Sequence, residues 1–231
     1  MSISNTFLNN LIERLKNNFK SRLLLAVFVG SQSTENANEF SESEISIVLD
    51  SVNSEDFISI KNIIQNFDED EEEDIYPYIF MRSLQEIKAW PKNELTSLYL
   101  GSTVLYGNLS EIIPEINDND VKEDTKKRIA DIIYTIRNTI IYDEEEIAVE
   151  AARGLFKAGF FVIQNIYYLK NRIIINSINE LKNKTDEKSA DILDIYENWF
   201  VLKNERKNNP SDILNVLERW SSEQLNLLET L

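Results

Sequence analysis

The 231 residues include 42% hydrophobic side chains, enough to bury a sizeable core, which excludes wholesale disorder. Against 24 Lys and Arg stand 40 Asp and Glu, and the resulting net charge of −16 excludes sequence-wide binding to nucleic acid or anionic membranes, both of which need clustered cations. With no Cys and no His, the chain has no disulfides, thiolate chemistry, imidazole bases or imidazole metal sites; catalysis must rest on carboxylates, Lys, Arg, Tyr or hydroxyls, and any metal must be a hard, oxygen-bound ion such as magnesium.

In chain order, Phe7, Leu8, Leu11, Leu15, Phe19 and Leu23 recur at helical spacing and predict an amphipathic first helix. Leu24 to Val29 is a continuous β-capable run, read as a buried strand that ends at Gly30-Ser31. A polar stretch from Gln32 to Glu42 follows, and Ile45 to Leu49 is a second buried strand. Ser54, with Glu55 and Asp56 behind it, reads as the cap of a helix that carries Phe57, Ile60, Ile63, Ile64 and Phe67 on one face. The acids Asp68 to Asp74 lack the alternation and glycine of a calcium loop and read as a solvated acidic loop. Ile75 to Met81 is expected as a third strand, with an edge or bulge at Pro77. Thr103 to Tyr106 is a short fourth candidate.

After Asn117-Asp118-Asn119-Asp120 strand signals stop. Ile129, Ile132, Ile133, Ile136 and Ile140 form one helical stripe, and Asp143 to Glu146 open a second long helix through Ala152, Phe156, Phe160, Ile163 and Tyr167. Ile173 to Leu181, Ala190 to Leu202 and Ile213 to Leu228 read as three more, the last started by Pro210-Ser211-Asp212. Tyr134, Tyr142, Tyr167 and Tyr168 are expected in a core or an interface. The fold class is therefore α+β: a mixed sheet with helices over residues 1–118, then an all-helical bundle over 119–231. Met1 to Lys20 has no apolar targeting core, and no apolar run approaches the ~20 residues of a membrane helix, so a cytoplasmic location with no membrane partner is expected.

A strand, Gly30-Ser31, a polar loop and Glu42-Ser43-Glu44-Ile45-Ser46 leading into a second strand, together with the later Leu105-Tyr106-Gly107, resemble the DNA polymerase β-type nucleotidyltransferase superfamily, its minimal and antibiotic-modifying members above all. The resemblance implies a nucleoside triphosphate partner. Its phosphates would meet the amides and hydroxyl of Gly30 and Ser31, with Lys157 as a cation from the helical half. It also implies two magnesium ions held by alternating carboxylates on the second strand and a third carboxylate on the next. Here the aligned pair is Glu44 and Ser46, so the second carboxylate is missing, and Ile75 to Met81 contains no acid. A shifted register gives Glu42 and Glu44, and Asp50 or Asp74 could serve only in a different geometry. The expected metal ligands are thus Glu44 and Glu42, binding weakly, with magnesium doubtful. The expectation is a nucleotidyltransferase-like pseudoenzyme that binds a nucleotide or a partner. The alternatives are an active magnesium-dependent enzyme moving AMP to a small-molecule or protein hydroxyl, and an interaction domain of another class.

Overall fold

The structure is a computed structural model and describes residues 5–29, 44–68, 78–142, 145–199 and 210–231. The chain divides into two compact units, Met1–Ile116 and Asn117–Leu231.

In the first unit, helix α1 (Asn5–Phe19) leads through a 3₁₀ turn (Lys20–Arg22) into β1 (Leu23–Val29). Leu23 therefore belongs to the strand and not to the helical stripe; Lys20, with φ 52°, turns the chain between the two. β2 (Glu44–Leu49), α2 (Ser54–Asp68) and β3 (Tyr78–Ser83) follow. Then come α3 (Leu84–Ala89), a 3₁₀ turn (Lys92–Leu95), α4 (Thr96–Gly101), β4 (Thr103–Gly107) and α5 (Leu109–Ile112). The strands form one sheet in the order β3-β2-β1-β4, with β1 antiparallel to both neighbours and β2 parallel to β3. Strand alternation separates two faces. Ala26, Phe28, Ile45, Ile47 and Leu49 pack with Phe7, Leu11 and Leu15 of α1 and Ile60 and Ile63 of α2 into one core. The expected α2 face is only partly buried: Phe57 is 58% exposed, and the Phe67 side chain lies outside the described residues. Asn53, and not Ser54, caps α2. Its Oδ1 accepts from the amides of Glu55 and Asp56, and Asp56 accepts from the Asn53 amide, which closes a reciprocal box. Pro77 and most of the acidic run, 69–74, lie outside the described residues.

The second unit contains α6 (Asp118–Tyr142), α7 (Glu145–Asn171), α8 (Ile178–Lys182), α9 (Glu187–Glu197) and α10 (Pro210–Leu228). Every described strand lies in the first unit. The second unit has its own core, built from Ile129, Ile132 and Ile136 of α6, Phe156 and Phe160 of α7, Trp199, and Leu214 and Leu217 of α10. The helix expected over Ile173 to Leu181 is only α8. Arg172 at φ 59° ends α7, and the buried Gln164 side chain donates to the Ile175 carbonyl and to Asn176 Oδ1, fastening a non-helical connection that runs until Ser177 caps α8. Tyr134 and Tyr142 are exposed, so they are not core residues; Tyr167 is partly buried against the helical core. The α6 stripe behaves similarly, with Ile140 exposed beyond Ile136.

Candidate functional site

The parallel register pairs Glu44 with Tyr78, Ser46 with Phe80 and Val48 with Arg82. Partners in a ladder point to the same side, so Glu44, Ser46, Phe80 and Arg82 share the face away from α1 and α2, while Ile79 and Met81 reach the core on the other. On that shared face lies a cavity of about 230 Å³ lined by Val29, Glu44, Ser46, Phe80, Arg82, Glu94, Ser97 and Leu98. Ser46 is buried, with 3% of its surface exposed.

Arg82 dominates this cavity. Its Nη1 donates to Ser46 Oγ at 3.0 Å. Its guanidinium lies 4.9 Å from the Trp90 ring centre and 6.0 Å from that of Phe80. Burial pulls the guanidinium below its ordinary value, against the opposing attraction of Glu86 and Glu44. Glu86 itself is engaged elsewhere: with Ser83 it forms a capping box, which also holds its carboxyl below the usual range. That box locks the turn from β3 into α3 directly after Arg82. Trp90 donates its Nε1 to Glu94 at 3.0 Å, which orders the ring under the guanidinium.

The structure thus brings Glu44 and Ser46 together on one face. Glu42, Gly30, Ser31 and Asp74 lie outside the described residues. Asp50 stands past the opposite end of β2 from Glu44, where it accepts from Arg22 at 3.3 Å and from Ser51. Lys157 is on α7 in the helical unit, partly buried. A smaller cavity in that unit, about 140 Å³, is lined by Tyr167, Lys170, Lys184 and Gln224 among others, and not by Lys157. Trp90, Glu94 and Ser97 carry no local motif that marks them, and the expected third strand ends at Met81, which leaves Arg82 off the sheet. The signal was present: Ser83-Leu84-Gln85-Glu86 is a capping-box pattern that starts a helix at Leu84, leaving residue 82 on the strand.

The donor set suits a divalent cation poorly. Among the described residues Glu44 and Glu94 supply two carboxylates, the latter already accepting from Trp90; Ser46 supplies a neutral oxygen already taken by Arg82, and β3 supplies Phe80 and a cation. Hard dications are held by clustered anionic oxygens, and a guanidinium in the cluster opposes them. Among the described residues no group of three or more acidic side chains is placed to hold a metal ion.

No family model matches this chain, and no curated protein matches it. A solved structure does: spectinomycin adenyltransferase AAD(9) from Enterococcus faecialis, crystallised with ATP and spectinomycin. It aligns over 96% of this chain and 100% of that one with a TM-score of 0.58 and 15% identity. What the chain shares with that enzyme is its fold, a nucleotidyltransferase-like α+β architecture with a mixed sheet followed by helices.

Proposed function

We propose that this protein is a nucleotide-binding member of the nucleotidyltransferase fold in which the metal-dependent transfer chemistry has lapsed. The observation that carries this reading is the Arg82–Ser46 hydrogen bond on the sheet face beside Glu44. Transfer of a nucleotide needs carboxylates there to gather cations around the attacking and leaving oxygens. Among the described residues the sheet face offers one carboxylate, one hydroxyl and one guanidinium, and Glu94, which also lines the cavity, is engaged by Trp90. It retains what binding needs: a cavity with an apolar wall at Val29, Phe80 and Leu98, and a fixed cation at Arg82. Gly30 and Ser31 would add amide and hydroxyl donors for phosphate at the end of β1. ATP is the first ligand to test, because the structural neighbour was crystallised with it.

Trp90 lies against Arg82, so occupation of the cavity should alter its emission. Titration with ATP, followed by fluorescence and calorimetry, is expected to show saturable binding that weakens in Phe80→Ala. Incubation with labelled ATP, magnesium or manganese, and cell extract is expected to leave every acceptor unlabelled. Transfer that disappears in Glu44→Ala would overturn the proposal in favour of an active enzyme. Absence of any nucleotide binding would remove the nucleotide from it.

A further inference from the structure

We propose that Arg82 stands in for the metal: its guanidinium is a built-in cation in the space that a divalent ion would need, so this site excludes the ion and takes a nucleoside triphosphate as the free polyanion. The step rests on the sheet face being the nucleotide site proposed above. The position follows from strand register. Residues 44, 46, 80 and 82 alternate onto one face of adjacent parallel strands, and an ion bridging the β2 positions to β3 would lie between them. The Arg82 guanidinium is in that space, 3.0 Å from Ser46 Oγ.

Arg82 is also held there. The Trp90 ring lies 4.9 Å from it, the capping box fixes the backbone after it, and the cavity gives it Glu44 as a nearby counter-charge. A side chain pinned in this way does not swing aside cheaply to admit a dication. A guanidinium offers phosphate oxygens parallel N–H donors and remains charged, so it can supply part of the phosphate neutralisation that a metal supplies elsewhere. Ser46 then has a partner on β3: it is a neutral acceptor that the cation can use without forming a closed ion pair. An Asp at 46 would lock Arg82 into a salt bridge and leave it less able to meet a ligand.

Two measurements test this. The first is manganese binding, by electron paramagnetic resonance, to the wild type, Ser46→Asp, Arg82→Gln and the double variant, each checked for folding by circular dichroism. The wild type and Ser46→Asp are expected to bind no manganese at this site at millimolar concentration, because in the latter Arg82 neutralises the new carboxylate. The double variant is expected to bind at least tenfold more tightly than Ser46→Asp. Wild-type binding that is lost in Glu44→Ala, or a single Ser46→Asp variant that binds as tightly as the double, would overturn the proposal. Should Arg82→Gln fail to fold, Arg82→Met, which keeps the stem and its packing on Trp90, replaces it. The second measurement is ATP affinity in EDTA and in excess magnesium. Affinity in EDTA is expected to equal or exceed that with magnesium, to fall at least tenfold in Arg82→Gln, and to be partly retained in Arg82→Lys. Binding only with magnesium would overturn this inference and leave the nucleotide-binding reading intact. Binding in neither buffer would defeat that reading and the free-polyanion half of this one, while the manganese series still decides whether Arg82 excludes the ion.

Discussion

Arg22 shows how a single side chain ties the first unit together. Its two terminal nitrogens donate to both oxygens of Asp56, each at 2.8 Å, and it also reaches the Ser51 carbonyl at 2.7 Å. Asp56 is buried, and it caps α2 through Asn53 as well. The Arg22 guanidinium, more than any other group, holds the Asp56 carboxyl below the usual carboxylate range. Asp56→Asn should therefore destabilise the unit by about 1.5–2 kcal/mol at neutral pH, the low end for a charged hydrogen bond because Arg22 remains partly in water. The sign of the pH effect follows from the lowered value. The contribution is present above the unfolded-state value near ~4 and is lost as pH falls through the folded-state value. Urea midpoints measured from about pH 5 to pH 3 should fall faster in the wild type than in Asp56→Asn, closing the gap between them. A gap that stays constant would show that the pairing is not what the titration reports. At this same scale the sequence yielded Glu44 and Ser46 as neighbours on one face, since strand alternation needs no tertiary knowledge. Arg82 was missed because its meaning depends on which strand pairs with β2, and a parallel pairing across an intervening helix leaves no local trace.

Among elements, β4 depends most on one residue. Gly107 sits opposite Leu25 at φ 82°, and a Cβ there would lie 2.2 Å from the Leu24 carbonyl oxygen. Both the backbone conformation and the contact exclude any other residue. Gly107→Ala should cost about 2–4 kcal/mol, from backbone strain plus displacement of β1, and chemical denaturation would measure it. The Leu105-Tyr106-Gly107 pattern thus has a structural reason independent of any function. The connection before α8 teaches the opposite lesson. Ile173 to Leu181 has helical spacing, yet the segment to Ser177 is not helical, because the side chain of Gln164, more than one turn inside α7, captures the Ile175 carbonyl at 2.9 Å. A long-range hydrogen bond of this kind overrides periodicity and cannot be seen in it. Gln164→Leu should destabilise the helical unit by about 1–3 kcal/mol, leaving a buried carbonyl unpaired. Hydrogen exchange should accelerate over residues 173–181 first; uniform acceleration across α7 and α10 would argue against this local role.

For the whole molecule, the change in texture after residue 117 corresponds to a change in core. The sheet unit draws its apolar cluster from α1, β1, β2 and α2, whereas the helical unit draws its own from α6 onward. The second unit also pairs several of its buried polar groups internally. Asn165 donates to Asp124 and Thr125 across α7 and α6, Arg128 donates to Asp124 within α6, and Trp220 donates to Ser189 across α10 and α9. A unit with a separate core, and with its described buried polar groups paired within it apart from Ser221 Oγ, has what folding alone requires. Residues 117–231 expressed by themselves should therefore give a helical spectrum and a cooperative thermal transition. Two of the three tryptophans of the chain, Trp199 and Trp220, fall in this fragment, and both are buried, Trp199 against Phe156. They should produce a resolved near-ultraviolet band that disappears in the same transition. Leu217→Ala, in the middle of this core, should lower the fragment's stability by about 2–5 kcal/mol or prevent folding altogether. If the fragment shows helical content but no near-ultraviolet band and no cooperative melt, its packing requires the sheet unit, and the two units fold as one. If it melts cooperatively, the proposed nucleotide site can be altered on β2 and β3 without disturbing the helical half, and variants at Ser46 and Arg82 then report on the site itself.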